Sequence, residues 1–199
     1  KNEPLILLLM DYVSSLNSNE FIRSAARKGN LSVVKRLLYN GANSSLAVED
    51  AIRYKMIGSL KELIKNGATC SQEHLRIAID YQFTEGVLLL VKQQEIDLNT
   101  AFDNGNYPIH TLSRSLTEDS KLIMQMLIEL GARINIQDSS GDTALHILAS
   151  QKEYALPIIE LLITNDANPN QMNHKGKKPL DYALNKTTRS IFKKAMRAK

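Results

Sequence analysis

QDSSGDTALHILASQKEYALPIIELLITNDANPN, residues Gln137 to Asn170, reads as a turn, a short helix, a longer helix and an exit turn. Asp138-Ser139-Ser140-Gly141 is turn chemistry, because Asp and Ser bond the backbone locally and Gly141 tolerates positive φ. Thr143 is placed to cap the next helix, whose apolar stripe is Leu145, Leu148 and Ala149. Pro157 suits the first turn of the second helix, where its missing N–H costs nothing. Ile158, Ile159, Leu161 and Leu162 give that helix its stripe, and Ala167-Asn168-Pro169-Asn170 turns the chain onward. The same order recurs on both sides at roughly 33 residues, the sign of a stacked array.

Working outward, Phe21 to Asn43 holds an Ala25-Ala26 pair, a Gly29-Asn30 turn, the stripe Val33, Val34, Leu37 and Leu38, and an end at Gly41-Ala42. Leu46 to Ala68 repeats the helix pair at a shortened spacing, which leaves room for only a tight turn before it. Thr69 to Asn99 is the most divergent, with Leu75, Ile77 and Ala78 on a first helix and Val87 to Val91 on a second. Asn104-Gly105-Asn106 marks a loop tip in the next unit, whose expected inner stripe is Leu122, Met126, Leu127 and Leu130. Gln171 to Lys199 closes the series, with Ile191, Phe192 and Met196 as its stripe. Asn2 to Leu16 carries helical spacing and is expected to cover the apolar edge of the first unit.

Thr143-Ala144-Leu145-His146, Tyr107-Pro108-Ile109-His110 and Lys178-Pro179-Leu180-Asp181 resemble the Thr-Pro-Leu-His signature of the ankyrin repeat family. Gly41-Ala42, Gly67-Ala68 and Gly131-Ala132 resemble its helix ends, with Asp166-Ala167 in the same place. The resemblance implies an all-α ankyrin-repeat solenoid of five to six stacked helix-turn-helix repeats with an N-terminal capping helix. It divides the chain into a cap at 1–19 and a repeat domain at 20–199. The repeats fall at 20–43, 44–68, 69–99, 100–135, 136–170 and 171–199, the last as a C-terminal cap. It also implies that His110 and His146 make structural bonds, whereas His74 is expected to be solvated. In style the array resembles ankyrin proteins of intracellular bacterial effectors and large DNA viruses, which implies a cytoplasmic setting, including that of a host cell.

The 199 residues are 43% hydrophobic and 23% charged, as expected of a folded domain. The longest apolar run, Leu5 to Met10, is far short of a membrane span and lacks the flanks of a signal peptide. The first residue is Lys1 rather than Met, as in a piece of a longer or processed protein. Cys70 is the single cysteine, so no internal disulfide forms. No His or Cys pair has metal-ligand spacing, no Gly-rich phosphate loop is present, and Glu118-Asp119 point apart on a helix. The chain is therefore read as non-enzymatic, with no catalytic residue, metal or cofactor and no small-molecule substrate.

The resemblance implies a protein partner, of host or regulatory kind, docked on the concave face and fingers of repeats four to six. The candidate contacts are Asn104, Asn106, Ser139, Ser140, Asp142, His174, Lys175 and Lys177 on the fingers, with Arg114 and Lys152 along the first helices. One alternative is a targeting domain of a larger enzyme. Another starts from the C-terminal 29 residues, where nine Lys or Arg face one acid, Asp181. That balance suits nucleic acid or an anionic membrane, although no nucleic-acid fold signature accompanies it and aromatics are only 6%.

Overall fold

The computed structural model describes residues 18–94 and 96–198, and the N-terminal helix expected over 2–16 lies outside them. The described residues are helical with turns and contain no strand. They form two compact units that meet in sequence between Ile96 and Asp97.

The first unit contains α1 (Ser18–Arg27), α2 (Leu31–Tyr39), a 3-10 turn (Ser44–Ala47), α3 (Val48–Arg53), α4 (Ile57–Lys65), α5 (Gln72–Asp80) and α6 (Thr84–Gln94). α1 packs on α3 and α3 on α5 in one layer, while α2 packs on α4 and α4 on α6 in the other. Within pairs, α1 packs on α2, α3 on α4 and α5 on α6. Ala25, Ala26, Val34, Ile52, Leu60, Leu63, Leu75, Ile79 and Leu90 are buried between the layers. The expected tight turn is the 3-10 turn, opened by Asn43, whose side chain accepts the Ser45 N–H at 3.0 Å.

The second unit contains α7 (Pro108–Arg114), α8 (Ser120–Glu129), α9 (Ala144–Ala149), a 3-10 turn (Glu153–Ala155), α10 (Leu156–Thr164), α11 (Pro179–Tyr182) and α12 (Lys186–Ala198). Its first layer is α7, α9 and α11; its second is α8, α10 and α12. α9 touches α7, α10 and α11, and every one of its six residues is buried. Burial on every side makes its inward set wider than Leu145, Leu148 and Ala149 alone, with His146 as the one polar member, held by hydrogen bonds.

The expected stripe of α8 is corrected. Ile123, Met124 and Leu127 face inward, Met126 and Leu130 are half-buried, and Leu122 is 58% exposed. The register is set at the helix start, where buried Ser120 accepts the Thr117 N–H at 2.7 Å. Turning Ser120 inward puts its i+3, i+4 and i+7 neighbours in the core and Leu122 outside.

Asparagines tie successive helix pairs of this unit together. Asn99 donates to the Gly131 carbonyl (3.0 Å) and accepts from the Arg133 N–H (2.8 Å). Asn135 does the same one step later, to the Asp166 carbonyl (3.1 Å) and from the Asn168 N–H (2.7 Å). Each amide thus satisfies one donor and one acceptor that the end of the next second helix leaves open.

Candidate partner-binding face

Three loops precede α7, α9 and α11, and they are built alike. Phe102 N–H donates to the Asn106 carbonyl (2.8 Å), Asp138 to Asp142 (2.9 Å) and Asn173 to Lys177 (2.9 Å). Gly105, Gly141 and Gly176 take positive φ at the equivalent point of each loop. In the second and third loops the leading side chain also holds the tip. Asp138 Oδ1 accepts from the Ser140 and Asp142 N–H groups, and Asn173 Oδ1 from those of Lys175 and Lys177. Phe102 cannot do this, and Asn104 substitutes by accepting the Asn106 N–H at 3.0 Å.

The loops are joined to one another. Arg114 Nη2 donates to Asp138 Oδ2 (2.8 Å) and to Asn106 Oδ1 (3.2 Å), bridging the first finger to the second. Asn173 Nδ2 donates to Asp142 Oδ1 (2.6 Å), and the His174 N–H to the Ser140 carbonyl (3.1 Å). A Cβ at Gly141 would lie 2.6 Å from the His174 backbone nitrogen, so only glycine allows the second finger to sit this close to the third.

The residue three places after each N-cap returns a bond to it. His74, His110 and His146 accept through Nδ1 from the Ser71, Tyr107 and Thr143 N–H groups at 3.1, 3.3 and 3.1 Å. Asp181 accepts likewise from Lys178 at 2.8 Å. An acceptor at Nδ1 leaves the ring proton of a neutral imidazole on Nε2. His146 Nε2 then donates to the Lys177 carbonyl at 3.0 Å. This corrects the expectation for His74, which is half-buried and caps α5. Burial pushes the pKa values of His74 and His110 below the ordinary 6.5. Ser71-Gln72-Glu73-His74 is thus the counterpart of the Thr143–His146 tetrapeptide, and the Ser-x-x-His spacing is the signal that identifies it.

Of the ten candidate contacts, Asn104, Arg114, Ser139, Ser140, Lys152, His174, Lys175 and Lys177 are exposed. Asn106 and Asp142, expected at exposed tips, are half-buried, because their side chains accept from Arg114 and Asn173. Arg114 is likewise a bridge between fingers. The long turn after α7 forms a separate groove of about 390 Å³, with Leu116, Tyr154, Pro157 and Ile158 on its walls.

Sequence reading missed a second polar row, on the first unit. Buried Asp50 accepts from Arg23 Nε (2.7 Å) and Arg27 Nη2 (2.8 Å). Burial would raise the Asp50 pKa, but the two guanidinium groups outweigh it and hold the carboxyl below the usual range. Arg27 stacks over Tyr54 at 5.3 Å and Arg53 over Tyr81 at 5.2 Å. Arg and Tyr recur here at the shortened spacing of this unit, a signal visible once that spacing is used. Burial also raises the Cys70 thiol to about 11, so it carries a proton at neutral pH. Among the described residues no three His, Cys, Asp or Glu side chains are grouped to hold a metal ion. No helix among them is long and apolar enough to cross a membrane.

Residues 112–194 match the family model for ankyrin repeats in three copies. An ankyrin repeat protein of Borreliella burgdorferi is 39% identical over 95 residues, which are 48% of this chain and 22% of that protein. One from Acanthamoeba polyphaga mimivirus is 44% identical over 54 residues, 27% of this chain and 13% of that protein. Human transient receptor potential cation channel subfamily V member 5 is 37% identical over 83 residues, 37% of this chain and 11% of the channel. The matched stretches thus span less than a quarter of these relatives' lengths. Among solved structures, the ankyrin repeat domain of Bcl-3 superposes with a TM-score of 0.74 at 22% identity, covering 86% of this chain and 81% of that one. The human ASB11 ankyrin repeat domain gives 0.76 at 21%, covering 87% and 81%. Residues 112–194 thus match ankyrin repeats in sequence, and the fold is that of ankyrin repeat domains.

Proposed function

We propose that this chain is a protein-binding module with no catalytic activity of its own, and that its partner docks on the fingers and first helices of the second unit. The repeat assignment that goes with this is six, at the boundaries given by the sequence, with 171–199 as a polar end cap. The observation that carries the reading is the run of three fingers fixed to one another by Arg114, Asp142 and Asn173. Their outward side chains, Ser139, Ser140, Lys175 and Lys177, are left exposed. A preorganised loop binds without first losing conformational entropy, which favours affinity. Asn106, Arg114 and Asp142 serve that surface by holding it, and the contacts fall on the exposed residues beside them.

The test is quantitative capture of binding proteins from cell lysate with the wild type and with Ser140→Glu/Lys175→Glu/Lys177→Glu. These side chains are exposed, so each change shifts stability by less than about 0.5 kcal/mol. Loss of a specifically captured protein by the triple variant, with its melting temperature kept, is the expected result. Undiminished capture would place docking elsewhere.

A further inference from the structure

α12 has a second chemistry on its outer face. Lys186, Arg189, Lys193 and Arg197 recur at i, i+3, i+7 and i+11, so they share one side of the helix, with Lys194 beside them. All five are exposed. The opposite side carries buried Thr188 and Phe192 and half-buried Ile191, Ala195 and Met196, which pack toward α10 and α11. α12 contains no acid. On the helices it packs against, Glu160 and Asp181 form no ion pair with it, and the Asp181 carboxylate accepts the Lys178 N–H. Arg189 donates Nε to the Ala183 carbonyl at 3.0 Å, which holds its guanidinium in place at the start of the stripe.

We propose that this face binds the phosphodiester backbone of duplex nucleic acid without reading its sequence. Three kinds of polyanion could meet such a charge, and the composition of the face separates them. The fingers offer a partner protein a row of projecting loops with backbone groups as well as side chains, whereas this helical face offers side chains alone, without the apolar or aromatic anchors that centre a protein contact. Lying on a membrane needs apolar side chains to enter between the headgroups. Among the described residues of α12 the other exposed ones are Thr187 and Ser190, which supply neither, and the single exposed Leu184 lies before the helix begins. A phosphate backbone asks only for cations and hydroxyl donors, and both are present. The dimensions fit as well: from Lys186 to Arg197 the helix rises about 16 Å, along which one strand of a duplex presents about five phosphates. The absence of aromatic residues from the face agrees with an intact duplex rather than stacked single strands.

The test is fluorescence anisotropy of the full chain with a labelled duplex of about 20 base pairs, titrated between about 50 and about 200 mM salt. Four to five neutralised phosphates give a slope of log K against log salt of about −4. Lys193→Ala/Arg197→Ala makes that slope shallower by about 2. Lys186→Glu/Lys193→Glu/Lys194→Glu weakens binding more than tenfold at about 50 mM salt. Lys61→Glu/Lys65→Glu, which alters exposed charge on the first unit, leaves the slope unchanged, and circular dichroism checks that each variant is folded. No binding at the lowest salt would overturn the proposal. So would a slope indifferent to the α12 variants, or binding to polyglutamate or phosphatidylserine vesicles as tight as to the duplex.

Discussion

His146 Nε2 donates to the Lys177 carbonyl at 3.0 Å, joining the start of one first helix to the end of the next finger. The same ring accepts the Thr143 N–H through Nδ1 at 3.1 Å. A single buried side chain thereby closes its own helix N-terminus and fixes the neighbouring loop. His110 makes the first bond, but its fully buried Nε2 approaches the Asp142 and Ile136 backbone without a well-formed hydrogen bond.

His146→Ala should therefore destabilise the protein by about 2–4 kcal/mol, since it leaves a buried N–H and a carbonyl unmatched. His74→Ala should cost about 1 kcal/mol, the ordinary value of a helix cap on a half-buried residue. Urea denaturation of the two variants beside the wild type checks the order. Equal costs would mean that the bond to Lys177 contributes nothing.

Acid should weaken the fold in two stages. His74 and His110 have folded pKa values below 6.5, so the unfolded chain takes up protons before the folded one does. Their contribution is whole above 6.5 and falls as the pH drops from there toward the folded values. Asp50 acts lower, because its depressed pKa gives stability that is present above the usual 3.8 and lost as pH falls through the folded value. Asp80, raised by burial, has the opposite sign in the acid range. The urea midpoint should thus fall between about pH 7.5 and about pH 5.5, and His110→Gln should reduce that fall. A midpoint that rises on acidification over this interval contradicts the assignment.

Most of the helix pairing was legible in the sequence because turn residues, caps and apolar stripes agreed with one another. The phase of α8 was not, since Leu122 and Ser120 compete for the inward side and the hydrogen bond of Ser120 decides it. His74 went unrecognised because its cap uses Ser71 where the better-formed repeats have Thr or Tyr. On the candidate face, finger positions could be read from Gly105, Gly141 and Gly176. The sequence did not reveal which polar side chains turn outward and which bond to the next finger. Asn106, Asp142 and Arg114 look like solvent-facing residues until the partners Asp138 and Asn173 are in place.

Asp166 sits where Gly41, Gly67 and Gly131 stand at other helix ends, and it takes φ 66°, whereas Asn165 stays at φ −105°. The Ala167 N–H closes on the Leu162 carbonyl at 2.9 Å across it. Asp166→Gly should raise stability by about 0.5–1 kcal/mol by removing the left-handed strain. A melting temperature that falls would show that the Asp166 side chain contributes more than its backbone costs.

The docking claim meets its most direct test in hydrogen exchange, measured on the chain alone and with a captured partner bound. Slowed exchange concentrated at residues 102–107, 137–142 and 173–178 is the predicted result. Protection confined to the second helices, or to the row of Arg23, Arg27 and Arg53 on the first unit, would contradict it.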